Sequence, residues 1–297
     1  MNKFAGALCA AFLLPAAAQA DPFSLEVEAK GFYDSELVVE DVDLTNADGS
    51  VGFRIGADAE VTAVDSDALE LEFGYDFGQT AYLDADQFDL QSHVGDVSLA
   101  TTLGGAKLGL RGAYGHYRLD GEGLFDQFSL TPSVSGFIAD GFYGRAFYTY
   151  ADKDYDLRDE RDSTGNQFGG SIFRFFSDNA GYFALNARIE NEDAADPAFS
   201  FDGFVVGTRA RLPLDGKRGG LRLELGAQYR DRSYEAITPS IGAIREEDRL
   251  RGQAELIVPL GKGLRVETGY RITDRNSNLP SADYLEHRVS GGIVWEL

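Results

Sequence analysis

Three absences narrow what this chain can be. It contains a single cysteine, Cys9, so no intramolecular disulfide bond can form. Beyond the first twenty residues, no stretch reaches the roughly 18 consecutive apolar residues that a transmembrane helix needs. Positive charge is scarce, with 27 Lys and Arg against 49 Asp and Glu. A disulfide scaffold and a helical membrane protein are therefore excluded, and nucleic acid, whose phosphates attract basic surfaces, is not an expected partner.

The first twenty residues, MNKFAGALCAAFLLPAAAQA, have the pattern of a secretory signal peptide. Lys3 precedes an apolar stretch that ends at Leu14, and the Ala-Gln-Ala sequence at 18–20 supplies the small residues of a cleavage site. The apolar stretch is shorter than the ~18 to 20 residues of a membrane span. We predict cleavage before Asp21, which leaves a net charge of −23 because Lys3 is the only charged residue removed.

What the rest of the chain has in abundance is alternation of apolar and polar residues at period two. In residues 221–230, LRLELGAQYR, leucine, alanine and tyrosine occupy one face, and charged or small polar residues occupy the other. The same pattern occurs in residues 69–77 and 264–272. Alternation of this kind indicates a β-strand with one apolar face, and helical spacing does not persist anywhere. The fold is predicted to be all-β.

Marking every such segment predicts fourteen strands. They cover about residues 24–40, 50–64, 69–84, 89–103, 107–119, 125–139, 142–156, 167–177, 182–195, 199–214, 221–237, 245–260, 264–277 and 284–297. The connectors alternate between tight turns, such as 140–141, and longer polar segments, such as 41–49 and 157–166. An even strand number with short turns on one side and longer loops on the other is typical of an outer-membrane barrel. We predict one antiparallel up-and-down β-barrel over 21–297, with both termini on the periplasmic, short-turn side.

A soluble β-sandwich is the alternative for an all-β chain. Its strands usually have ~5 to 6 residues, whereas these reach or exceed the ~9 to 11 that cross a membrane. Its core would also need more strongly apolar residues than one face of these strands supplies. In a barrel the apolar face meets lipid. Tyr82, Tyr117, Tyr150 and Tyr234 near the long-loop ends, and Trp295 at the opposite end, further predict aromatic belts at two membrane interfaces.

Charge is distributed unevenly over the predicted inner face. Residues 21–104 carry twenty acidic residues against two basic ones, whereas residues 205–297 carry fifteen Lys and Arg against thirteen acidic residues. The predicted pore-lining acidic residues are Glu26, Glu28, Asp58, Glu60, Glu70, Glu72 and Asp76. The predicted pore-lining arginines are Arg209, Arg211, Arg222, Arg230, Arg249, Arg251, Arg265, Arg271 and Arg288. Because the first and last strands close the barrel together, an acidic wall and an arginine wall would flank one lumen.

The size of the lumen leaves two functions open. Fourteen strands ~4.8 Å apart and tilted by ~40° close a barrel with a backbone radius of roughly 14 Å. Such an interior can hold a water-filled pore that selects polar or charged solutes. It can also hold an ion-pair lattice that conducts little. We expect a modest passive channel for small hydrophilic or charged solutes, and the alternative is a non-conducting structural barrel that acts through acidic extracellular loops.

No residue pattern predicts an enzyme or a cofactor. His93, His116 and His287 lie in predicted strands outside any recognisable catalytic motif. Three scattered histidines, and a cysteine only in the signal peptide, predict no zinc or copper site. Residues 41–49 and 152–162 carry acidic side chains at alternate positions, but without the glycine and glutamate spacing of a calcium loop. We interpret both as solvated acidic loops that could attract divalent cations shared with lipopolysaccharide.

The last eight residues, SGGIVWEL, resemble the terminal β-signal of Gram-negative outer-membrane proteins. Ser290, Gly292, Trp295 and Leu297 match its pattern of polar-x-Gly-x-x-hydrophobic-x-hydrophobic, with leucine in the last place where an aromatic residue is commoner. The resemblance implies a location in the outer membrane, in contact with its lipid and lipopolysaccharide. It also implies insertion by the barrel-assembly machinery.

A second resemblance lies just before this signal. The sequence DRNSNLPSADY at 274–284, followed by His287-Arg-Val289, is similar to the last hairpin of barrels in the surface-lipoprotein-assembly-modifier group. This likeness implies a further alternative function, that of a lipoprotein-export barrel.

Overall fold

The protein is described here by a computed structural model covering residues 22–66 and 68–297, so the predicted signal peptide lies outside the described residues. Fourteen strands form one closed antiparallel barrel in which each strand pairs with its neighbour along the chain and the first pairs with the last. The barrel strands are β1 (Phe23–Asp34), β4 (Ser50–Asp65), β5 (Glu70–Tyr82), β6 (Leu90–Leu103), β7 (Ala106–Leu119), β8 (Glu122–Ala139), β9 (Phe142–Tyr155), β10 (Ser163–Phe176), β11 (Gly181–Ala194), β12 (Phe201–Pro213), β13 (Arg222–Thr238), β14 (Ala243–Gly261), β15 (Leu264–Ser277) and β16 (Tyr284–Glu296). The predicted all-β fold and strand number are confirmed.

Two further strands, β2 (Leu37–Val39) and β3 (Leu44–Asn46), form a small separate hairpin in the first connector. The prediction of one strand over 24–40 is therefore wrong, because β1 ends at Asp34 and the chain then leaves the barrel wall. Within the described part of the chain, no helix is long and apolar enough to cross a membrane.

The two ends of the barrel differ in their connectors. One end carries the turn between β8 and β9 and the last residue of the chain, and we call it the turn end. We call the opposite end the loop end. At the loop end only the first connector, residues 35–49, is long. The others are short because the strands extend into them: β10 begins at Ser163, inside a predicted loop. Asp120 and Gly121 alone join β7 to β8, with φ of 52° and 75°, as a two-residue hairpin turn requires.

The outer face of the barrel is a band of apolar side chains. On β4, Val51, Phe53 and Ile55 point outward with exposed fractions of 45–49 %, whereas Arg54 between them points inward. Water-soluble proteins rarely expose a contiguous apolar surface of this extent. The band is the lipid-facing surface of a transmembrane barrel, in which apolar side chains point out and polar side chains point in.

Several tyrosines lie on the outer face of the barrel, but most of them are not the tyrosines predicted for the interface belts. Tyr82, Tyr117 and Tyr234 face inward, because pleating places them on the same side of their strands as charged inner residues. The outward tyrosines, exposed by 40–53 %, are Tyr33, Tyr75, Tyr114, Tyr148 and Tyr270. Of the predicted set, Tyr150 shares the outer face with Tyr148, and Trp295 lies outward near the turn end. Tyr82, Tyr117 and Tyr234 therefore do not form the predicted belt at the loop end.

A hydrophobic cluster lies inside the barrel at the loop end. Leu37, Val39 and Val42 of the first connector are buried there, Leu37 to 1 % exposure. Their neighbours are inner-face or connector side chains, namely Phe32, Tyr82, Ala85, Phe88, Leu124, Phe125 and Tyr155. Burying an apolar side chain of this size contributes about 1.5 to 3 kcal/mol. Residues 35–49, which we call the inward loop, are therefore folded into the lumen.

Candidate pore and its inward loop

Strand pairing places all sixteen predicted pore-lining residues on the inner face. Across β13 to β15, Arg230 pairs with Arg249, and Arg271 of β15 pairs with Arg288 of β16. On the early strands, Asp58 of β4 pairs with Glu26 of β1. The alternation read from the sequence thus assigns these side chains to one side of the sheet. That they line an open pore stays a prediction.

The acidic side chains of the early strands are partly neutralised by neighbours. Glu28 pairs with Arg54 (2.6 Å), Glu70 with Lys107 (2.7 Å), and Asp96 with Arg111 (2.9 Å). Four of these residues were not among the predicted site residues, namely Arg54, Asp96, Lys107 and Arg111. Continuing the same alternation along their strands would have found them.

Four inner carboxylates, Asp58, Glu60, Glu72 and Asp76, form no ion pair with any described residue. All four lie on the adjacent strands β4 and β5. A side-chain oxygen of Asp76 is buried without a hydrogen-bond partner among the described residues. Carboxylates in a dry interior are paired, because burying an isolated charge costs several kcal/mol. This side of the lumen therefore keeps an unneutralised acidic surface.

A second ion-pair network closes the barrel between β1 and β15. Lys30 contacts Glu267, Glu28 (3.2 Å) and Glu255 (3.6 Å). Gly292 of β16 lies between Lys30 and Glu267 in the strand pairing. A Cβ atom at Gly292 would lie 2.2 Å from the carbonyl oxygen of Ala29 and 2.5 Å from Lys30 Cγ. The glycine of the predicted terminal signal thus has a structural reason, since only glycine allows this approach.

The late strands carry a large concentration of guanidinium groups, which we call the arginine cluster. Its nine arginines are Arg188, Arg230, Arg232, Arg245, Arg249, Arg251, Arg271, Arg275 and Arg288. The carboxylates that the barrel strands supply to it are Asp34, Glu190, Glu247 and Glu286. Arg188, Arg232, Arg245 and Arg275 are absent from the sequence prediction, although they follow the same alternation. The barrel wall alone leaves this cluster with an excess of positive charge.

The inward loop brings Glu40 to the arginine cluster. A short 3₁₀ turn at Glu40–Val42 directs the Glu40 side chain to the wall. Its Oε2 accepts a hydrogen bond from Arg249, and its Oε1 accepts from Arg251 (3.2 Å) and from the Tyr284 hydroxyl (2.8 Å). Burial raises the pKa of Glu40, but the charges around it, with Arg249 the strongest, together outweigh burial and hold the pKa well below its usual value.

Asp43 makes a second contact of the same kind. Arg245 donates two hydrogen bonds to its carboxylate (2.7 and 3.1 Å), and Arg161 donates a third (2.7 Å). Its side chain is only 7 % exposed. Burial raises the pKa of Asp43, but the hydrogen bonds and charge of Arg245 and Arg161 lower it to about 2. The interpretation of 41–49 as a solvated acidic loop is wrong for this part, because distant arginines compensate the burial.

The inward loop also reaches the far wall of the barrel. The backbone carbonyl of Asp41 accepts hydrogen bonds from Arg161 (3.0 Å) and from the Tyr155 hydroxyl (3.2 Å). Lys153 lies 3.5 Å from the Asp41 carboxylate. In strand order, β9 and β10 stand opposite β1 on the ring. A loop that leaves β1 and contacts β9 and β14 therefore crosses the lumen at the loop end.

Comparison with known proteins gives a likeness of fold. No protein-family model and no curated protein sequence matches the chain. Pseudomonas aeruginosa OccK9 (OpdG) aligns over 93 % of this chain and 98 % of its own, with 10 % identity and a TM-score of 0.51. A loop-deletion mutant of OmpT, an outer membrane protein of Vibrio cholerae, aligns over 93 % and 100 %, also with 10 % identity and a TM-score of 0.51.

This chain has the fold of a porin-like outer-membrane barrel. The residues of the predicted β-signal lie on β16 and just after it. Ser290 and Gly292 lie on the inner face of β16, whereas Trp295 and Leu297 are exposed on the outer side. The Leu297 N–H donates to the carbonyl of Leu25 (2.9 Å), next to the seam that closes the porin-like barrel. Recognition of these residues by the assembly machinery stays a prediction.

The three histidines of the porin-like barrel lie on strands, beside polar side chains. His93 and His287 are each 2.7 Å from a tyrosine hydroxyl, of Tyr75 and Tyr270 respectively. His116 is 2.7 Å from Asp126. In the described residues no group of three or more His, Cys, Asp and Glu side chains is placed to hold a metal ion.

Proposed function

We propose that this protein is an outer-membrane channel for small hydrophilic solutes, and that the inward loop forms its constriction. The observation that carries the proposal is a set of inner carboxylates, Asp58, Glu60, Glu72 and Asp76, that form no ion pair with the residues the structure describes. Ionised carboxylates on the inner wall of a barrel need water around them. A water-filled lumen bounded by charged walls admits polar solutes and excludes apolar ones.

The orientation follows from the same proposal. In outer-membrane barrels the short turns face the periplasm and the longer loops face outward. The turn end with the last residue would thus lie in the periplasm. The inward loop would lie at the end through which solutes enter the lumen from outside the cell. Lipid and lipopolysaccharide would contact the apolar band. Ser290, Gly292, Trp295 and Leu297 would serve the barrel-assembly machinery as the insertion signal.

Planar-bilayer recording tests the channel function. The mature protein, refolded in detergent and inserted into a bilayer in 1 M KCl, should produce stepwise increases in current. A preparation denatured by heating should produce none. Refolded protein that inserts, as judged by protease protection in liposomes, but never gives a current step would refute the proposal.

A non-conducting barrel is the second candidate, and the docking of the inward loop favours it. The loop is held by the hydrophobic cluster and by the ion pairs of Glu40 and Asp43. Replacing residues 36–48 by a short Gly-Ser turn separates the two candidates. If the intact protein is silent and the shortened protein conducts, the loop seals the barrel; if both are silent, the lumen itself is closed.

A further inference from the structure

The strongest unassigned feature is a group of aromatic side chains on the inner face of the barrel at the turn end. Strand pairing places Tyr143 of β9 between Phe137 of β8 and Phe173 of β10, and it places Phe175 beside Tyr182 of β11. We infer that these five residues, the inner aromatic cluster, bind the ring of a neutral sugar inside the lumen. This inference rests on the proposed channel function, whose solute class it names.

The rings of the inner aromatic cluster pack on one another and still reach the lumen. Neighbouring ring centroids lie between 5.4 and 6.4 Å apart. Phe173 at the centre is 8 % exposed, Phe137 at the rim is 56 % exposed, and the other three rings are half-buried. Phe173 points away from lipid, because it alternates along β10 with the outward Ile172. An interfacial belt therefore does not explain these rings, and apolar surface inside a lumen is typical of a ligand site.

The wall that continues from this cluster toward the loop end carries little charge. Among the described residues of its inner face, β8 from Phe125 onward and β10 have no charged side chain, and β9 has only Arg145 and Lys153. The wall instead carries half-buried hydroxyl groups, at Ser129, Thr131, Ser133, Ser135, Thr149 and Ser171. The hydroxyl oxygens of Thr131 and Thr149 lie 2.9 Å apart. Because a hydroxyl is one donor and two acceptors, this pair keeps hydrogen-bonding capacity for a solute.

A neutral sugar fits aromatic rings and hydroxyl groups that are presented together. The faces of an aromatic ring carry partial negative charge, so the polarised C–H bonds of a sugar ring pack favourably against them. The sugar hydroxyls find neutral donors and acceptors on the adjoining wall. An organic cation fits less well, because guanidinium groups already occupy ring faces on this side of the lumen. Arg145 lies 5.7 Å from the ring centroid of Phe147, and Arg211 lies 5.1 Å from that of Tyr182.

Saturation-transfer NMR on the refolded mature protein, in a detergent without a sugar headgroup, tests this inference without requiring conduction. Cellobiose is the probe, because both faces of each glucose ring present C–H bonds. We expect magnetisation transfer from the protein to the ring protons of cellobiose, and none to sorbitol, which has hydroxyl groups but no ring. Phe175→Leu should weaken cellobiose binding about two- to tenfold, since it removes one aromatic contact.

The matched control is Phe176→Leu, which removes the next residue of the same strand. Phe176 faces outward, with its ring centroid 5.1 Å from that of Phe183, so its loss should leave the affinity for cellobiose unchanged. If Phe175→Leu does not give a folded band on electrophoresis, Tyr143→Leu replaces it with the same expected weakening. Equal affinities of the inner and outer variants, or equal transfer to sorbitol, would overturn the site. Absence of cellobiose binding in a conducting protein would overturn the site and leave the channel standing, whereas binding in a silent protein would refute only the channel.

Discussion

The charge of Asp43 should hold the inward loop across the lumen, and Asp43→Asn tests this directly. Asparagine keeps the size of the side chain and one acceptor oxygen but removes the charge that Arg245 and Arg161 neutralise. The pKa of Asp43 is lowered from 3.8 to about 2, and each unit corresponds to ~1.4 kcal/mol. The substitution should therefore cost the docked loop about 2 kcal/mol, and the two arginines left behind can only increase the loss.

Hydrogen–deuterium exchange of the backbone amides measures this loss where it occurs. A local opening made easier by about 2 kcal/mol should speed exchange in residues 37–46 by roughly 30-fold, while the barrel strands keep their protection. Asp48→Asn is the matched control, since Asp48 is exposed in the same loop. Unchanged exchange in 37–46 of the Asp43→Asn protein would refute the reasoning. Faster exchange in the strands as well would show that the substitution damages the barrel rather than the loop.

Three further predictions concern pH, selectivity and closure. Because the folded pKa of Asp43 is depressed, its contribution is complete above pH 3.8 and is lost as pH falls through about 2, so loop exchange corrected for intrinsic rates should accelerate between pH 4 and 2. Glu60→Gln combined with Glu72→Gln should shift the reversal potential in a KCl gradient toward anion selectivity, and an unshifted potential would place these carboxylates outside the conduction path. Gly292→Ala should reduce the heat-modifiable, folded band on electrophoresis, because its Cβ would meet the Ala29 carbonyl at 2.2 Å, and a full folded yield would contradict this steric argument.

The strands could be predicted from the sequence because one face of each strand contacts lipid and must be apolar. That requirement imposes the alternation that gives both the strand number and the inward side chains. The same alternation, applied to the tyrosines, would have assigned Tyr82, Tyr117 and Tyr234 to the inner face. Tyr82 is an even number of residues from Glu70 and Glu72 and therefore shares their inner face. The predicted belt failed because proximity to a strand end was weighed above the side of the strand.

The inward loop could not be predicted in this way. Leu37, Val38 and Val39 form a short apolar run between Glu36 and Glu40, and such a run fits either a continued β1 or an apolar anchor, so the local pattern does not distinguish the two. Glu40 and Asp43 look like solvated acids until their partners are known, and those partners lie about two hundred residues further along the chain, at Arg245 and Arg249. Burial of these acids depends on contacts that only the closed barrel brings together.

The most direct test of the channel with an inward constriction is single-channel conductance of two refolded proteins side by side. One is the mature protein, and the other has residues 36–48 replaced by a short Gly-Ser turn. Removing a segment that crosses the lumen should raise the conductance per step several-fold, because the constriction dominates the resistance of a pore. Equal step sizes in the two proteins would contradict the account, since the loop would then not stand in the path of the ions.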